Sequence, residues 1–416
     1  MNIYAIIILS TLVLGFLLDL ISDKLNISAL DPELPEEFKD VYSDESYSKS
    51  QTYTKVRTKF GLITSTVSLA EILIFWFVGG FNYLDQYVRQ YTESEITAGL
   101  MFVGILILFN SILSLPFSIY STFVVEEKLG FNKTTGKTFI TDKLKAAGLS
   151  VMIGGPLLAG IIYILSTAGA NAWLYGWAAL TGFSLILQFI APTWIMPLFN
   201  KFTPLEDAEL RNSIMTYAKY VDFSLKNVYV IDGSKRSSKS NAFFTGFGKN
   251  KRIALYDTLI EKHTNKELLG ILAHEIGHYK KKHIIKNMFV GFVHSGVLFY
   301  LLSFFLNKPE LFEAFYMEET SIYAGLIFFG LLYTPVEMII SVFMSHSSRK
   351  NEYEADWFAA ETTNAPDEMI NALKKLSEHN LSNLTPHPFY VFINYSHPPV
   401  LQRITALRKF EPSAQE

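Results

Sequence analysis

The sequence contains no cysteine. That absence excludes disulfide staples, thiolate metal sites and a cysteine nucleophile together, so any metal must be held by histidine and carboxylates. Charge is also scarce, with 18 % of the 416 residues charged against 50 % hydrophobic and 15 % aromatic. Average soluble domains carry about a quarter charged residues, and the deficit points to a membrane. Nor is there a surplus of positive charge: 36 Lys and Arg against 39 Asp and Glu give a net charge of −3. Such a chain has no overall basic field to hold a phosphate backbone, and nucleic acid is not an expected partner.

What is plentiful is apolar sequence. From Ile3 the run IYAIIILSTLVLGFLL has no charge before Asp19, and with its flanks it approaches the ~20 residues that cross a bilayer. A cleaved signal peptide is the alternative, but no basic residue precedes the run and no small-x-small site follows it, so it reads as a retained anchor. Runs of spanning length recur at 60–82, 97–123, 146–170, 171–197, 284–306 and 321–346, for seven spans in all. Lys24, Lys39, Lys49, Lys55, Arg57 and Lys59 follow the first span, and Lys128, Lys133, Lys137, Lys143 and Lys145 follow the third. The loops after the second and sixth hold only Arg89 and Lys308. Positive charge marks the cytoplasmic side, which places the long polar segment 201–283 and the tail after Arg349 there too.

The expected class is a mainly α membrane protein of seven transmembrane helices with a cytoplasmic α+β lobe. Residues 1–200 form an N-terminal membrane region with five spans, and 201–416 the lobe with two further spans. NVYVIDG at 227–233, RIALYD at 252–257 and SNAFFTGFG at 240–248 read as strands of a small sheet. Asn265 is the expected N-cap of a helix over 266–283, and Pro366 starts another through Leu376.

Within the first of these helices lies His274-Glu275-Ile276-Gly277-His278. Histidines at i and i+4 share a helix face, so both can reach one zinc ion at about 2.0–2.1 Å. Glu275 stands beside them, free of ligation and placed to take a proton from the attacking water. With nine histidines in the chain, a fortuitous match arises on the order of once in a hundred such sequences. A catalytic zinc needs a third protein ligand. Glu352 in NEYEADWFAA is the candidate, with Asp356 one turn on as the carboxylate that orients a ligand. The competing reading is a solvated acidic helix face, with Glu354 pointing elsewhere. His263, His283, His346, His379 and His387 read as surface or interface residues. His397 precedes Pro398-Pro399, which fix its backbone, so it is either a donor to a developing oxyanion or a structural histidine in a turn. Glu71 and Glu337 sit inside apolar spans, where an ionisable group must face water or brace a partner.

HEIGH, NEYEAD and SHPP set among seven spans resemble the type I CAAX prenyl endopeptidase family. EEKLGFNKTT from Glu126, PLFNKFTPL from Pro197, SNAFFTGFGKNKRIALYDTLI from Ser240 and YSHPPVLQRI from Tyr395 extend the resemblance along nearly the whole chain. It implies one Zn2+ per chain on His274, His278 and Glu352, with Glu275 as base and Asp356 behind the ligands. It further implies His397 as a transition-state donor, and Asn241 and Ala242 on an edge strand that pairs with substrate backbone. Arg403 is carried over with them as a residue supporting the site. The implied architecture is seven helices around a chamber in contact with membrane lipid. The implied substrates are peptides or proteins with a prenylated C-terminus, met at the endoplasmic reticulum in a eukaryote or the cytoplasmic membrane in a prokaryote. A general quality-control protease is the alternative activity, and an inert zinc-containing transporter or scaffold the alternative class.

Overall fold

The computed structural model describes residues 1–245 and 251–410. Among the described residues seven helices are long and apolar enough to cross a membrane: Ile3–Ser28, Asp44–Phe77, Glu95–Glu126, Gly136–Thr167, Gly169–Phe199, His283–Phe305 and Ile322–Thr363. Each overlaps an expected span, but the ends differ. The second helix begins at Asp44 rather than at residue 60, with the Ser43 side chain capping Ser46 N–H at 3.1 Å. Its first turns carry Lys49, Lys55, Arg57 and Lys59, so this part projects out of the bilayer and leaves no hydropathy signal. At the other end it stops at Phe77, and Gly79, at φ 74°, turns the chain into the short helix Gly80–Arg89. That turn needs a left-handed residue, which glycine supplies without a Cβ penalty.

The seventh helix is the longest, at 42 residues. At 1.5 Å per residue it reaches about 63 Å, twice the ~30 Å hydrocarbon core, so it leaves the membrane as one rod and carries Glu352 and Asp356 into the lobe. At their ends away from the lobe the spans share an aromatic core. Trp76, Phe81, Phe102, Phe315 and Phe328 are all at most 2 % exposed, and Phe315 stacks on Phe328 at 3.9 Å. Toward the lobe the helices instead border a cavity of about 810 Å³ lined by Asp19, Asp23, Arg57, Tyr390 and His397. Glu337 bridges the sixth and seventh spans, 3.2 Å from His294 Nε2, and keeps a half-exposed side chain. Glu71 is half-buried on the second helix.

The lobe sheet has four strands: β1 Phe202–Pro204, β2 Leu225–Ile231, β3 Ala242–Thr245 and β4 Lys251–Tyr256. Their spatial order is β1-β2-β4-β3, with β2 and β4 parallel and the outer pairs antiparallel. Three strands were expected and β1 is additional. It is three residues long and ends on Pro204, a residue tolerated at a sheet edge because it has no N–H to donate. Part of the expected 240–248 strand, at 246–248, lies outside the described residues.

The helix bearing the HEIGH motif spans Asn265–Lys280. Its N-cap is Thr264, not Asn265. Thr264 Oγ1 accepts from Glu267 N at 3.3 Å and Glu267 Oε2 accepts from Thr264 N at 2.9 Å, a reciprocal cap that fixes the start. The helix does not run on through His283: Lys282, at φ 60°, breaks it, and His283 opens the sixth span. Leu268, Leu272, Ala273 and Ile276 of the motif helix share a core with Val228, Ile253 and Leu255 of the sheet and Ala359 of the seventh helix. A second core joins Phe38 and Tyr42, from between the first two spans, and Tyr47, from the first turn of the second, to Met369, Ile370, Leu373 and Ile404. The helix from Pro366 continues to His379.

His263 is buried rather than superficial, and its ring meets that of His379 edge-on at 5.7 Å. His263 Nε2 and His379 Nδ1 lack hydrogen-bond partners. Burial, with Lys262 and Lys375 close by, pushes His379 down to about 4, and burial lowers His263 as well. Both imidazoles are therefore neutral when folded and protonate more readily when unfolded. The unfolded chain binds more protons between pH 6.5 and 4, so stability is intact above 6.5 and falls through that window. For His379 the loss is about 3 kcal/mol at the bottom of the window, at ~1.4 kcal/mol per pKa unit. Thermal melts of the purified protein against pH should show this decline. The His379→Gln variant should show a shallower one, and an unchanged slope would remove His379 as its source.

Candidate active site

The motif helix and the seventh helix pack closely enough to share a site because Gly277 lies between them. A Cβ there would stand 3.1 Å from Ala355 O and 3.1 Å from the Phe358 ring. The approach sets His274, His278 and Glu352 together. His274 Nε2 and His278 Nε2 are 3.1 Å apart, and the Glu352 carboxylate lies 3.4 Å from the first and 3.3 Å from the second. One donor atom from each residue falls within 4.8 Å of the others.

This donor set fits a metal on chemical grounds. Glu352 is 3 % exposed, yet its Oε2 makes no hydrogen bond, with His274 and Arg403 nitrogens at 3.4 Å being too distant or poorly aligned. A buried carboxylate oxygen that accepts no hydrogen bond among the described residues, beside two aimed imidazole nitrogens, is costly unless a cation takes all three. Two imidazoles and one carboxylate are also the protein ligands of a catalytic zinc with an open fourth position.

Asp356 and Arg403 stand behind His274. His274 Nδ1 is 2.8 Å from Asp356 Oδ1, and Asp356 is gripped by Arg403 through Nε at 2.8 Å and Nη2 at 2.5 Å. Donation from Nδ1–H to Asp356 leaves the Nε2 lone pair for a metal. Burial opposes the Arg403 charge, but Asp356 and Glu352 outweigh it and hold the guanidinium above its ordinary value. Arg403 thus packs against Asp356, with Nη2 3.4 Å from His274 Nδ1 and Nη1 3.4 Å from Glu352 Oε2.

Glu275 follows His274 on the same helix and is half-buried. Burial pushes its carboxyl above the ordinary value, against the pull of His274 and His278. A carboxylate so raised is a stronger base near neutrality. His397 Nε2 comes to 3.3 Å from Glu352 Oε1, and Ser396 Oγ lies 2.9 Å from His397 Nδ1. Its side chain is 64 % exposed, opening onto the cavity, while the surrounding protein desolvates it and lowers its pKa. Asn241 leads into β3, the sheet edge; its carbonyl accepts from Tyr256 N at 3.0 Å and its side chain from Ala242 N at 2.8 Å. Ala242 belongs to the same core as Ala273 and Ile276 of the motif helix.

One neighbour was not expected. His283 is 2 % exposed, not superficial, with its ring against His278. Glu354 turns to His283 rather than to solvent. Helical periodicity from the motif could not reveal this contact, because the left-handed Lys282 resets the phase.

Comparison with known proteins agrees with the geometry. Residues 25–201 match the family described as CAAX prenyl protease N-terminal, five membrane helices, and residues 204–411 match peptidase family M48. CAAX prenyl protease 1 homolog of Oryza sativa subsp. japonica is 38 % identical, over 90 % of both chains. CAAX prenyl protease 1 of Saccharomyces cerevisiae is 36 % identical, over 91 % of this chain and 89 % of its own. A crystal structure of S. mikatae Ste24p superposes with a TM-score of 0.92 at 34 % identity, covering 98 % of this chain and 99 % of that one. With likeness of this depth along nine tenths of its length, the chain belongs to peptidase family M48, as an integral-membrane member with the CAAX prenyl protease N-terminal region.

Proposed function

We propose that this protein is a zinc endopeptidase acting on prenylated C-terminal peptides, with its lobe in the cytoplasm. The observation that carries the reading is the convergence of His274, His278 and a buried Glu352 oxygen that accepts no hydrogen bond among the described residues, beside Glu275. His274, His278 and Glu352 would hold the ion, and Asp356 with Arg403 keeps His274 aimed. Zinc, when bound, supplies a Lewis acid beside the scissile carbonyl and the attacking water. Glu275 takes the proton from that water and passes it to the leaving amine. His397 donates to the carbonyl oxygen as negative charge develops there. The exposed edge of β3, beginning at Asn241 and Ala242, pairs with the substrate backbone as an added strand.

Sidedness follows from charge. Arg236 of the lobe pairs with Asp142, beside Lys143 and Lys145 at the start of the fourth helix, at 2.7 Å, which supports putting these lysines and the lobe on one side of the membrane. Excess Lys and Arg mark that side as cytoplasmic. Prenyl specificity is supported by the relatives named CAAX prenyl protease 1. Its test is cleavage by the purified protein of a farnesylated CAAX peptide and an unprenylated copy. A higher kcat/KM on the farnesylated peptide is the expected result, and equal rates would make the enzyme a general membrane endopeptidase.

A further inference from the structure

We propose that His283, held by Glu354, is the positioning residue that fixes the ring orientation and tautomer of His278. This rests on the reading of His278 as a metal ligand. His278 Nδ1 lies 3.0 Å from His283 Nδ1, and His283 Nε2 lies 3.1 Å from Glu354 Oε2. The two rings meet at 5.2 Å and 71°. His283 is 2 % exposed, so neither of its nitrogens has water as an alternative partner.

Proton accounting gives the chain one direction. Glu354, as a carboxylate, only accepts, so His283 Nε2 carries a proton and donates it. Neutral His283 then has a bare Nδ1, which must accept. The donor facing it is Nδ1–H of His278, and a neutral His278 with its proton on Nδ1 has its lone pair on Nε2. That nitrogen is the one that faces His274 Nε2 and Glu352. His274 reaches the same state by a shorter route, through Asp356. The two histidines are thus locked by two carboxylates of the seventh helix, Asp356 directly and Glu354 through one intervening ring.

The backbone is arranged for the contact. A motif helix continued through His283 would carry that residue 500° round the axis from His278, at 100° per residue, onto a different face. Lys282, in the left-handed region at φ 60°, ends the helix instead and starts the sixth span with His283 as its first residue, edge-on to the His278 ring. A strained non-glycine conformation at this break is consistent with a position set by the site rather than by the turn.

The test is zinc affinity of the purified full-length protein, measured by competition with a chromophoric chelator. His283→Leu should weaken binding about 10–100-fold, the range for loss of a partner behind a metal-bound histidine. His283→Asn should recover part of it, because its Oδ1 stands near the place of the lost Nδ1. Glu354→Ala should cost less, and the His283→Leu/Glu354→Ala double variant should bind no worse than His283→Leu alone, since Glu354 acts through His283. A merely structural pair would leave zinc affinity unmoved or give additive losses, and either outcome overturns the inference. Glu354 is 36 % exposed, so its alanine variant decides the case even if leucine at the buried position disturbs folding. His278→Ala separates the two levels. If it loses zinc while His283→Leu and Glu354→Ala bind like the wild type, only this inference falls. If His278→Ala keeps wild-type affinity, the metal-centre reading falls with it.

Discussion

Glu275→Gln should lower kcat by about 10²–10⁴-fold, the range supplied by a positioned general acid–base, while leaving zinc content unchanged. Glutamine has nearly the same shape, so the half-buried site keeps its packing and the ligands their positions. What it lacks is the capacity to take a proton. Because Glu275 acts on the attacking water and the leaving amine, the loss should appear in kcat and kcat/KM together, with little change in KM. Stability should not fall. Burial already disfavours the ionised carboxylate, whose pKa lies above its ordinary value, so a neutral amide relieves a cost, and the melting temperature should equal or exceed that of the wild type. Two measurements on one sample decide it: turnover on the farnesylated peptide and zinc per chain. A variant that keeps zinc and turns over at the wild-type rate would sink Glu275 as the base. A variant that loses zinc would make the residue part of the metal centre rather than its partner.

The parts of this protein that were legible in its sequence are those encoded locally. Each span is a continuous apolar run, and His274 and His278 lie one helical turn apart, so periodicity alone puts them on one face. Glu352 was harder. From the residues alone NEYEAD read more readily as a solvated acidic face, and it was resemblance to a family that favoured Glu352. The physical link is a 42-residue helix whose membrane part is apolar and whose lobe part is polar, and a hydropathy reading cuts such a helix in two. The same blindness hid the polar start of the second helix at Asp44. Phe38, Tyr42 and Tyr47 pack against Ile370 and Leu373, a contact between distant segments for which the sequence has no marker. His283 escaped for another reason. Its place depends on one left-handed residue, Lys282, and lysine gives no warning of positive φ as glycine does at Gly79.

Arg403→Met should destabilise the protein by about 3–5 kcal/mol, the cost of removing one partner from a buried ion pair. Asp356 is 1 % exposed and Arg403's side chain 11 %, so neither charge can be hydrated in place of the bond. Methionine fills much of the aliphatic stem, and the loss is therefore one of charge and hydrogen bonds more than of packing. It leaves Asp356 with His274 Nδ1 as its remaining partner and removes the guanidinium that stands 3.4 Å from Glu352. Arg403→Lys should fall between, since an ammonium restores the charge without the two-pronged grip at Nε and Nη2. The informative variant is Arg403→Met with Asp356→Asn. Asparagine can still accept from His274 Nδ1 through Oδ1, and position 356 then carries no orphaned buried charge. The double variant should melt higher than Arg403→Met alone, a coupling that a purely packing role for Arg403 would not produce. Zinc affinity gives the second reading. Arg403→Met should loosen the Asp356 carboxylate and with it the His274 ring, weakening zinc about 10-fold or more. If Arg403→Met melts like the wild type, or the double variant melts lower than either single change, the arginine is not the counter-ion that holds this corner of the site together.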